Sequence, residues 1–360
     1  MATAVQTRAK RTFRIGRLIR PAIGVVVAVF VLWRLYTVLA SQSFGPDTWV
    51  RFAISGLVLG SVYAVIALGY TLIYGILFMI NFAHGDVMML GAFAGYFTLE
   101  AFNGAGFLNK NLPSAIISVV VAFIVGMSVS LVISIALERI AYRPLRTAPR
   151  LVPLISAIGA SLFLENVAQL TFGVARHTYT NPEVIKRNIG WTLMVGGKEV
   201  LVAYTGVLTF VLSLLLMIGL YILVQRTKMG KAMRAVAEDK DTAALMGIDV
   251  DGVIANTFAI SGALAGAAGV MWGLHMGVIY HYVGFIPGIK AFTAAVLGGI
   301  GNVPGAMLGG LVLGIVEAVA PAALGMPFQL KDVLAFSILV LVLIFRPTGI
   351  LGEVLSGKKA

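Results

Sequence analysis

Long apolar runs with very few charges limit this chain to folds that a membrane can surround. Between residues 52 and 109 the only formal charges are those of Asp86 and Glu100. That stretch is too long for one crossing, because a helix of roughly 20 residues already spans the hydrocarbon core. Similar runs recur as far as residue 345. We therefore predict an all-α fold, a polytopic transmembrane helical bundle.

Composition and charge agree with a membrane protein. Hydrophobic residues make up 59% of the chain and charged residues 12%, whereas soluble domains carry about 25% charged residues. The net charge is +12, but the cations gather in short stretches between apolar runs. That pattern is typical of cytoplasmic membrane loops and argues against nucleic-acid binding. The chain has no cysteine, which removes disulfides and thiolate metal ligands.

The cation-rich stretches predict about ten membrane segments with both termini in the cytoplasm. Basic residues cluster in the N-terminal tail, in 138–150, in 225–250 and in the C-terminal tail. An even number of crossings must separate these stretches if all of them are cytoplasmic. The expected segments, some of them broken or half-length, are 22–40, 51–77, 86–102, 114–137, 151–172, 202–224, 253–279, 287–299, 303–320 and 333–345.

This division predicts one membrane domain, 22–346, between a basic cytoplasmic tail, 1–21, and a C-terminal cytoplasmic tail, 347–360. Residues 173–200 are too polar for lipid and form a periplasmic loop. The first apolar run could instead be a cleaved signal peptide, but its length favours a retained helix.

Two polar interruptions inside apolar runs are candidate functional sites. Non-helical backbone at membrane depth is tolerated only inside protein or beside a water-filled cavity. A helix that begins there directs unpaired N–H groups and a positive dipole end at whatever occupies the cavity. The alternative is a tight turn at a membrane surface. The candidate cavity-lining residues are Asn81, His84, Gly85 and Asp86 at the first break and Gly299, Gly301 and Asn302 at the second.

Ionisable residues inside the apolar runs are also candidates, because burying a charge in a membrane is costly. Glu165, Lys290 and Glu317 join His84 and Asp86 in this class. An internal ion pair is the structural alternative for Lys290 and Glu317. The four histidines lack metal-ligand spacing, and we expect neither a metal nor a cofactor. No Gly-Lys-Ser or Gly-Lys-Thr occurs, so energy from ATP would have to come from a separate ATPase.

Short sequence echoes suggest an internal repeat. Ala53-Ile54-Ser55-Gly56 recurs as Ala259-Ile260-Ser261-Gly262, each near the start of a glycine-rich segment. The two segments run in opposite directions in the predicted topology, which fits an inverted repeat. Chance recurrence in an Ala- and Gly-rich chain is the alternative. The glycines at helical spacing favour close helix packing.

The cytoplasmic stretch 225–250 has the pattern of short amphipathic helices and could dock into a groove of a partner. A solvated loop is the alternative. Its candidate coupling residues are Gly230, Arg234, Ala235, Glu238, Asp239, Ala243, Ala244 and Gly247.

Several segments together resemble the permeases of high-affinity branched-chain amino acid ABC transporters, in particular the shorter of their two permease subunits. A permease of urea importers is a close relative that shares the Asn-Ala-His-Gly pattern. The resemblance covers most of the chain from about residue 50 onward. Its carrying segments are GLVLGSVYAVIALGYTLIYG (56–75), INFAHGD (80–86), GKAMRAVAEDKDTAALMGI (230–248), LGGIGNVPGAMLGG (297–310) and FRPTGILG (345–352).

The resemblance implies a transport subunit of the bacterial inner membrane rather than an enzyme. It implies a second permease subunit, two cytoplasmic ATPase subunits and a periplasmic substrate-binding protein as partners, and a coupling helix within 230–248 that contacts an ATPase. A urea or amide permease and a passive channel for a small solute remain the alternative functions.

Overall fold

A computed structural model describes residues 44–352 except 147, 150 and 347, together with residues 24, 29–30, 32–38 and 40–41. The predicted tail 1–21, residues 22–23, 25–28, 31 and 39 of the predicted segment 22–40, and residues 353–360 lie outside the described residues. The helices are α1 (Pro46–Leu77), α2 (His84–Gly104), α3 (Leu112–Leu137), α4 (Leu151–Phe172), α5 (Tyr204–Arg226), α6 (Lys228–Glu238), α7 (Lys240–Leu245), α8 (Val250–Met276), α9 (Phe285–Gly298), α10 (Val303–Ala323) and α11 (Lys331–Phe345).

Short elements connect these helices. A π-helical turn, Glu138–Tyr142, and a 3₁₀ turn, Arg143–Leu145, continue α3, and further 3₁₀ turns lie at Glu183–Ile185 and Phe328–Leu330. The strands are β1 (His177–Thr178), β2 (Gly190–Val195), β3 (Lys198–Ala203) and β4 (Val278–Ile279).

In the described part of the chain, 7 helical stretches are long and apolar enough to cross a membrane. They contain α1, α3, α4, α5, α8, α10 and α11. The predicted segments 86–102 and 287–299 correspond to α2 and to the 14-residue α9. The first three turns of α2 and most of α9 are buried against other helices, so they need not be as apolar as a helix that faces lipid. The polytopic helical membrane fold is confirmed, and the number of crossings stays a prediction.

The predicted loop 173–200 contains β structure that the all-α prediction did not include. Strands β2 and β3 form an antiparallel hairpin, and β1 pairs with β4 in a second two-stranded sheet. Val195 and Lys198 face each other across a two-residue turn, in which Gly196 and Gly197 both have positive φ angles, 59° and 79°. Such a turn matches the twist of the strands and favours a hairpin.

Glycines allow the longest helices to approach closely, as the glycine spacing predicts. A Cβ added to Gly60 of α1 would lie 2.9 Å from the carbonyl oxygen of Gly310 in α10. A Cβ on Gly262 of α8 would lie 2.6 Å from the carbonyl oxygen of Ser130 in α3. The Ser134 hydroxyl also donates to the Phe258 carbonyl at 2.7 Å. Backbone-to-backbone packing therefore holds α1 on α10 and α8 on α3.

These two pairs relate the halves of the bundle to each other. Helices α1–α3 form one half and helices α8–α10 form the other. The first helix of each half packs on the third helix of the other half, α1 on α10 and α8 on α3. The second helices, α2 and α9, lie inside the bundle and pack on the first helix of the opposite half. This arrangement is what an inverted repeat produces, and the echoed tetrapeptides lie in the corresponding helices α1 and α8.

Polar contacts group the connections into two sets at opposite ends of the bundle. At one end, the Glu183 amide donates to the Asn109 side chain at 2.8 Å, which joins the α2–α3 connection to the α4–α5 connection. At the other end, Arg143 and Arg146 both bind Asp251, which joins the turn after α3 to the start of α8. The first break lies between these ends.

Candidate functional site

The first break begins where α1 ends. Phe78 caps α1 with φ 53°, and it is the only non-glycine residue with positive φ among the described residues. Residues 78–83 are not helical, and α2 begins at His84. Ala83 occupies the N-cap position without a capping side chain. The chain thus changes direction inside the protein, as the NFAHGD segment predicts.

His84 lies in the centre of the bundle with no solvent exposure. Its Nδ1 is 3.4 Å from the Ser261 hydroxyl, and the Tyr70 ring lies edge-on with centroids 4.8 Å apart. Gly69 leaves room for the imidazole, since a Cβ at that position would overlap the ring. The Nε2 side of the ring faces the α1 backbone at Gly69, and the imidazole hydrogen-bonds to the Ile66 backbone. His84 therefore holds the start of α2 against α1.

Asp86 is in the first turn of α2, where the helix dipole stabilises a carboxylate. It is 1% exposed, and its Oδ2 accepts a hydrogen bond of 2.5 Å from the Ser161 hydroxyl on α4. Its Oδ1 has no partner. Glu165, four residues after Ser161 on α4, interacts electrostatically with Asp86 and with His281. The Asp86 carboxylate of α2 and the Glu165 carboxylate of α4 therefore both lie near Ser161.

Asn81 continues this line of polar groups toward the turn after α3. Its side-chain oxygen accepts a hydrogen bond of 2.6 Å from the Tyr142 hydroxyl, and its Nδ2 has no partner. Asn81 is 1% exposed. We call the residues His281, Glu165, Ser161, Asp86, Asn81 and Tyr142 the polar track. It presents carboxylate, hydroxyl and amide groups within an otherwise apolar bundle.

The N-termini of α2 and α9 meet next to the polar track. The backbones of Gly85 and Gly284 are in contact, because a Cβ on either residue would overlap the other. Gly288 is close enough that its Cβ would lie 3.1 Å from the Gly85 Cα. Non-helical chain precedes each of these helices, at 78–83 and 280–284. Two positive helix ends therefore converge on one buried region, where they favour a negatively charged group.

The second break has different contacts. Gly299 and Gly301 have φ angles of 109° and 92°, and Asn302 caps α10 by accepting from the Gly305 amide at 3.0 Å. The Asn302 Nδ2 donates to the Leu351 carbonyl at 2.9 Å. Both polar ends of Asn302 are therefore occupied, and Gly301 is exposed. Asn302 is thus the N-cap of α10, and the predicted cavity-lining role of Gly299, Gly301 and Asn302 stays a prediction.

The chain after α11 covers this second break. The amides of Ile350 and Leu351 donate to the carbonyls of Leu297 and Gly298 at 2.8 and 2.9 Å. Gly349 packs directly on the Gly299 backbone. The FRPTGILG segment therefore closes the turn between α9 and α10.

Lys290 and Glu317 form an internal ion pair, which is the structural alternative to a functional site. Lys290 Nζ is 2.7 Å from Glu317 Oε1 and 2.6 Å from Asp332 Oδ1. Lys331 lies 3.5 Å from the same Glu317 oxygen. The side chains of Lys290 and Glu317 are only 3% and 1% exposed. This network joins α9, α10 and α11, and it shares no residue with the polar track.

The candidate coupling residues lie on α6, on α7 and at their ends. Gly230, Arg234, Ala235 and Glu238 are on α6, Ala243 and Ala244 are on α7, and Asp239 and Gly247 flank α7. A Cβ on Gly230 would overlap the Val224 carbonyl, and Arg234 donates to that same carbonyl. These contacts fold α6 back on the end of α5.

Asp239 separates the two short helices and caps α7. Its Oδ1 accepts from the amides of Thr242 and Asp241, each at 2.9 Å. Hydrogen bonds from Thr242 and then Asp241 hold the pKa of Asp239 below its ordinary value. Leu245 and Met246 follow with 88% and 79% of their surface exposed.

Sequence reasoning missed several partners in the polar track. Tyr142 and Ser161 bind Asn81 and Asp86 across 61 and 75 residues of sequence. A signal was present for Ser161, because it precedes Glu165 by one helical turn and shares its face. No comparable pattern pointed to Tyr142.

Comparison with known proteins gives a consistent family. The family model described as "Branched-chain amino acid transport system / permease component" matches residues 52–343. The high-affinity branched-chain amino acid transport system permease protein BraD of Pseudomonas aeruginosa is 46% identical over 85% of this chain and 96% of its own length. LivH of Escherichia coli, a permease protein of the same description, is 43% identical over 83% of this chain and 94% of its own length.

A more distant relative, the probable branched-chain amino acid transport permease protein LivH of Methanocaldococcus jannaschii, is 31% identical over 82% of this chain and 90% of its own length. No solved structure matches the chain. A permease component is one part of a transport system with other subunits. With its membrane-spanning helices and a family match over most of its length, this chain belongs to the family of branched-chain amino acid transport system permease components.

Proposed function

We propose that this chain is the permease subunit of an ABC-type importer that carries branched-chain amino acids across the bacterial inner membrane. The observation that carries the proposal is the polar track: Asn81 and Asp86 are buried in the bundle, and each has one polar atom without a partner among the described residues. A zwitterion cannot cross hydrocarbon cheaply. Polar groups that await a partner would replace part of its hydration shell.

The two charged ends of an amino acid suit this region. The carboxylates of Asp86 and Glu165 attract an ammonium group, and the converging helix N-termini at Gly85 and Gly284 attract a carboxylate. We propose that Asn81, His84, Gly85 and Asp86 face the solute. Gly299, Gly301 and Asn302 would lie beside the path at its cytoplasmic end.

The orientation follows from the two sets of connections. The end with Arg143, Arg146 and Asp251 carries the basic stretches 138–150 and 225–250, so we propose that it faces the cytoplasm. The opposite end, with the hairpin in 173–200, would then be periplasmic. Ten crossings with both termini inside satisfy this arrangement, if the segment before α1 crosses once.

Transport would proceed by alternating access. A periplasmic binding protein delivers the amino acid, and two cytoplasmic ATPases close on ATP and move α6 and α7. The exposed Leu245 and Met246 provide an apolar contact for an ATPase. A second, related permease would complete the path, because the polar track is only half-buried at Glu165.

The test uses the complete transporter in proteoliposomes. Asn81→Ala removes a buried amide of the polar track, and Asn166→Ala removes an exposed amide on α4 that bonds only to the Leu162 carbonyl. The proposal predicts that Asn81→Ala lowers ATP-dependent leucine uptake and that Asn166→Ala does not. Equal uptake by both variants at equal expression would refute the solute-facing role of Asn81.

A second variant tests the cytoplasmic end of the path. Asn302→Ala removes the cap of α10 and the hydrogen bond to the Leu351 carbonyl, so it should lower the thermal unfolding temperature. If Asn302 also faces the solute, the variant lowers uptake per folded transporter as well. A lower unfolding temperature with unchanged uptake per folded transporter would instead assign Asn302 a structural role alone.

A further inference from the structure

An apolar groove opens on the outside of the bundle, between α3 and α5 and above α8. Its volume is about 600 Å³. Its walls are mostly aliphatic, with residues from α8 at the bottom, and they include Met127 and Leu131 of α3, Leu216, Gly219 and Leu223 of α5, and Met229 of α6. A Cβ on Gly219 would meet nothing within 4 Å. The groove is therefore open at Gly219, at a position where α5 faces the membrane.

The helical spacing of α5 places two cations at one end of the groove, which we call its mouth. Leu216, Gly219 and Leu223 lie at i, i+3 and i+7 and so share one face of α5. The next position on that face is Arg226, the last residue of α5, and Lys228 directly precedes the lining residue Met229. Both cations are exposed.

The acidic residue nearest to the α3 wall does not oppose this charge. Glu138 follows Leu131 by seven residues and therefore lies on the same side of the helix. It is 1% exposed and forms an ion pair with Arg146. Glu138 is therefore already paired, and the exposed cations Arg226 and Lys228 remain at the mouth of the groove.

We propose that this groove binds an anionic phospholipid of the cytoplasmic leaflet, with one acyl chain between α3 and α5 and the phosphate at Arg226 and Lys228. Hydrocarbon is the solvent at this depth, and an acyl chain packs against the aliphatic walls. Among the described residues of the lining, Asn256 of α8 is the one polar side chain. A guanidinium binds phosphate oxygens through two parallel hydrogen bonds. Basic pockets between helices on the cytoplasmic side are suited to anionic headgroups. The assignment to the cytoplasmic leaflet rests on the proposed orientation of the protein in the membrane.

The site would connect lipid composition to energy coupling. Met229 lines the groove and belongs to α6, which begins the segment proposed to contact an ATPase. A bound acyl chain would pack against α6 from the membrane side. Loss of the lipid would loosen α6 without altering the polar track.

The test measures lipid retained by the purified complete transporter. The complex is exchanged into nanodiscs of phosphatidylcholine and phosphatidylglycerol, purified again in detergent and analysed for bound phospholipid by mass spectrometry. Gly219→Trp fills the groove, and Gly159→Trp is the matched control. Gly159 is an exposed glycine of α4 whose Cβ would also meet nothing within 4 Å. We expect Gly219→Trp to lose bound phosphatidylglycerol and Gly159→Trp to retain it.

A second pair of variants tests the headgroup contact without changing the groove. Arg226→Gln together with Lys228→Gln should weaken phosphatidylglycerol binding about fivefold per cation removed, since each cation near the surface contributes about 1 kcal/mol. Lys110→Gln, at an exposed cation in the α2–α3 connection, should have no effect.

Two results would overturn the proposal. One is equal phosphatidylglycerol retention by the wild type, Gly219→Trp and the double charge variant. The other is protein in the groove: because the chain has no cysteine, Leu215→Cys carries a single label, and its cross-linking to a second permease would show that a helix covers the site. Lipid retention is the readout, so the result does not depend on which solute is transported.

Discussion

The buried ion pair of Lys290 and Glu317 provides a stability prediction with a specific order of effects. Lys290→Met keeps the length of the side chain but removes the cation that lies 2.7 Å from Glu317 and 2.6 Å from Asp332. Among the described residues, Glu317, at 1% side-chain exposure, then keeps Lys331 at 3.5 Å as its only cation. Leaving one charge of a buried pair unpaired costs about 3–5 kcal/mol, and we expect a loss of stability in this range.

Replacing the acid should cost less. In Glu317→Gln, Lys290 keeps the Asp332 carboxylate, and the glutamine oxygen can still accept a hydrogen bond. The loss is then that of one charged hydrogen bond, about 1.5–3 kcal/mol. In the double variant Lys290→Met with Glu317→Leu, the remaining Asp332 and Lys331 side chains are 41% and 47% exposed and can be solvated. The double variant should therefore be more stable than Lys290→Met alone.

The assay is thermal unfolding of the purified transporter in one detergent, followed by near-UV circular dichroism at equal protein concentration. The predicted order of unfolding temperatures is wild type, then Glu317→Gln, then Lys290→Met, with the double variant above Lys290→Met. Equal effects of the two single substitutions, or a double variant less stable than both, would refute the reasoning.

Three further substitutions test other parts of the structure. Ser161→Ala removes the described hydrogen bond to Asp86 and should lower leucine uptake about tenfold or more. Ser128→Ala, at an exposed serine of α3, should leave uptake unchanged. Equal uptake by the two variants would contradict the role of the polar track. Gly310→Val places a side chain against the α1 backbone at Ala64 and should destabilise the protein by about 3 kcal/mol in thermal unfolding, whereas Gly159→Val has free space. Asp239→Ala should reduce transport-coupled ATP hydrolysis more than Asp239→Asn, because Asn can still cap α7. The lowered pKa of Asp239 means that its capping contribution is present above the ordinary carboxylate range and is lost only as pH falls through the lowered value.

The breaks and caps could be predicted because their signals are local. NFAHGD interrupts an apolar run and marks the end of α1, and Asn302 with Pro304 marks the start of α10. Such signals depend on a few consecutive residues and on fixed helix-terminus chemistry. The positions of α1, α3, α4 and α5 follow from hydrophobicity alone.

The remaining features depend on contacts between distant residues. Nothing near Tyr142 indicates that it binds Asn81, and the C-terminal segment that covers Gly299 is recognisable only after α9 and α11 are packed. The β2–β3 hairpin was missed because its short alternating strands lie in a polar stretch, where periodicity does not separate a strand from a loop. The Gly196-Gly197 turn was the available signal.

ATP-dependent uptake of radiolabelled leucine tests the central claim most directly. The complete system, with this chain, a related permease, the ATPases and the binding protein, is reconstituted into proteoliposomes and compared with urea as the solute. The proposed function predicts that leucine accumulates against its gradient only with ATP, and that urea does not. Accumulation of urea alone, or leucine entry that is equal with and without ATP, would contradict it.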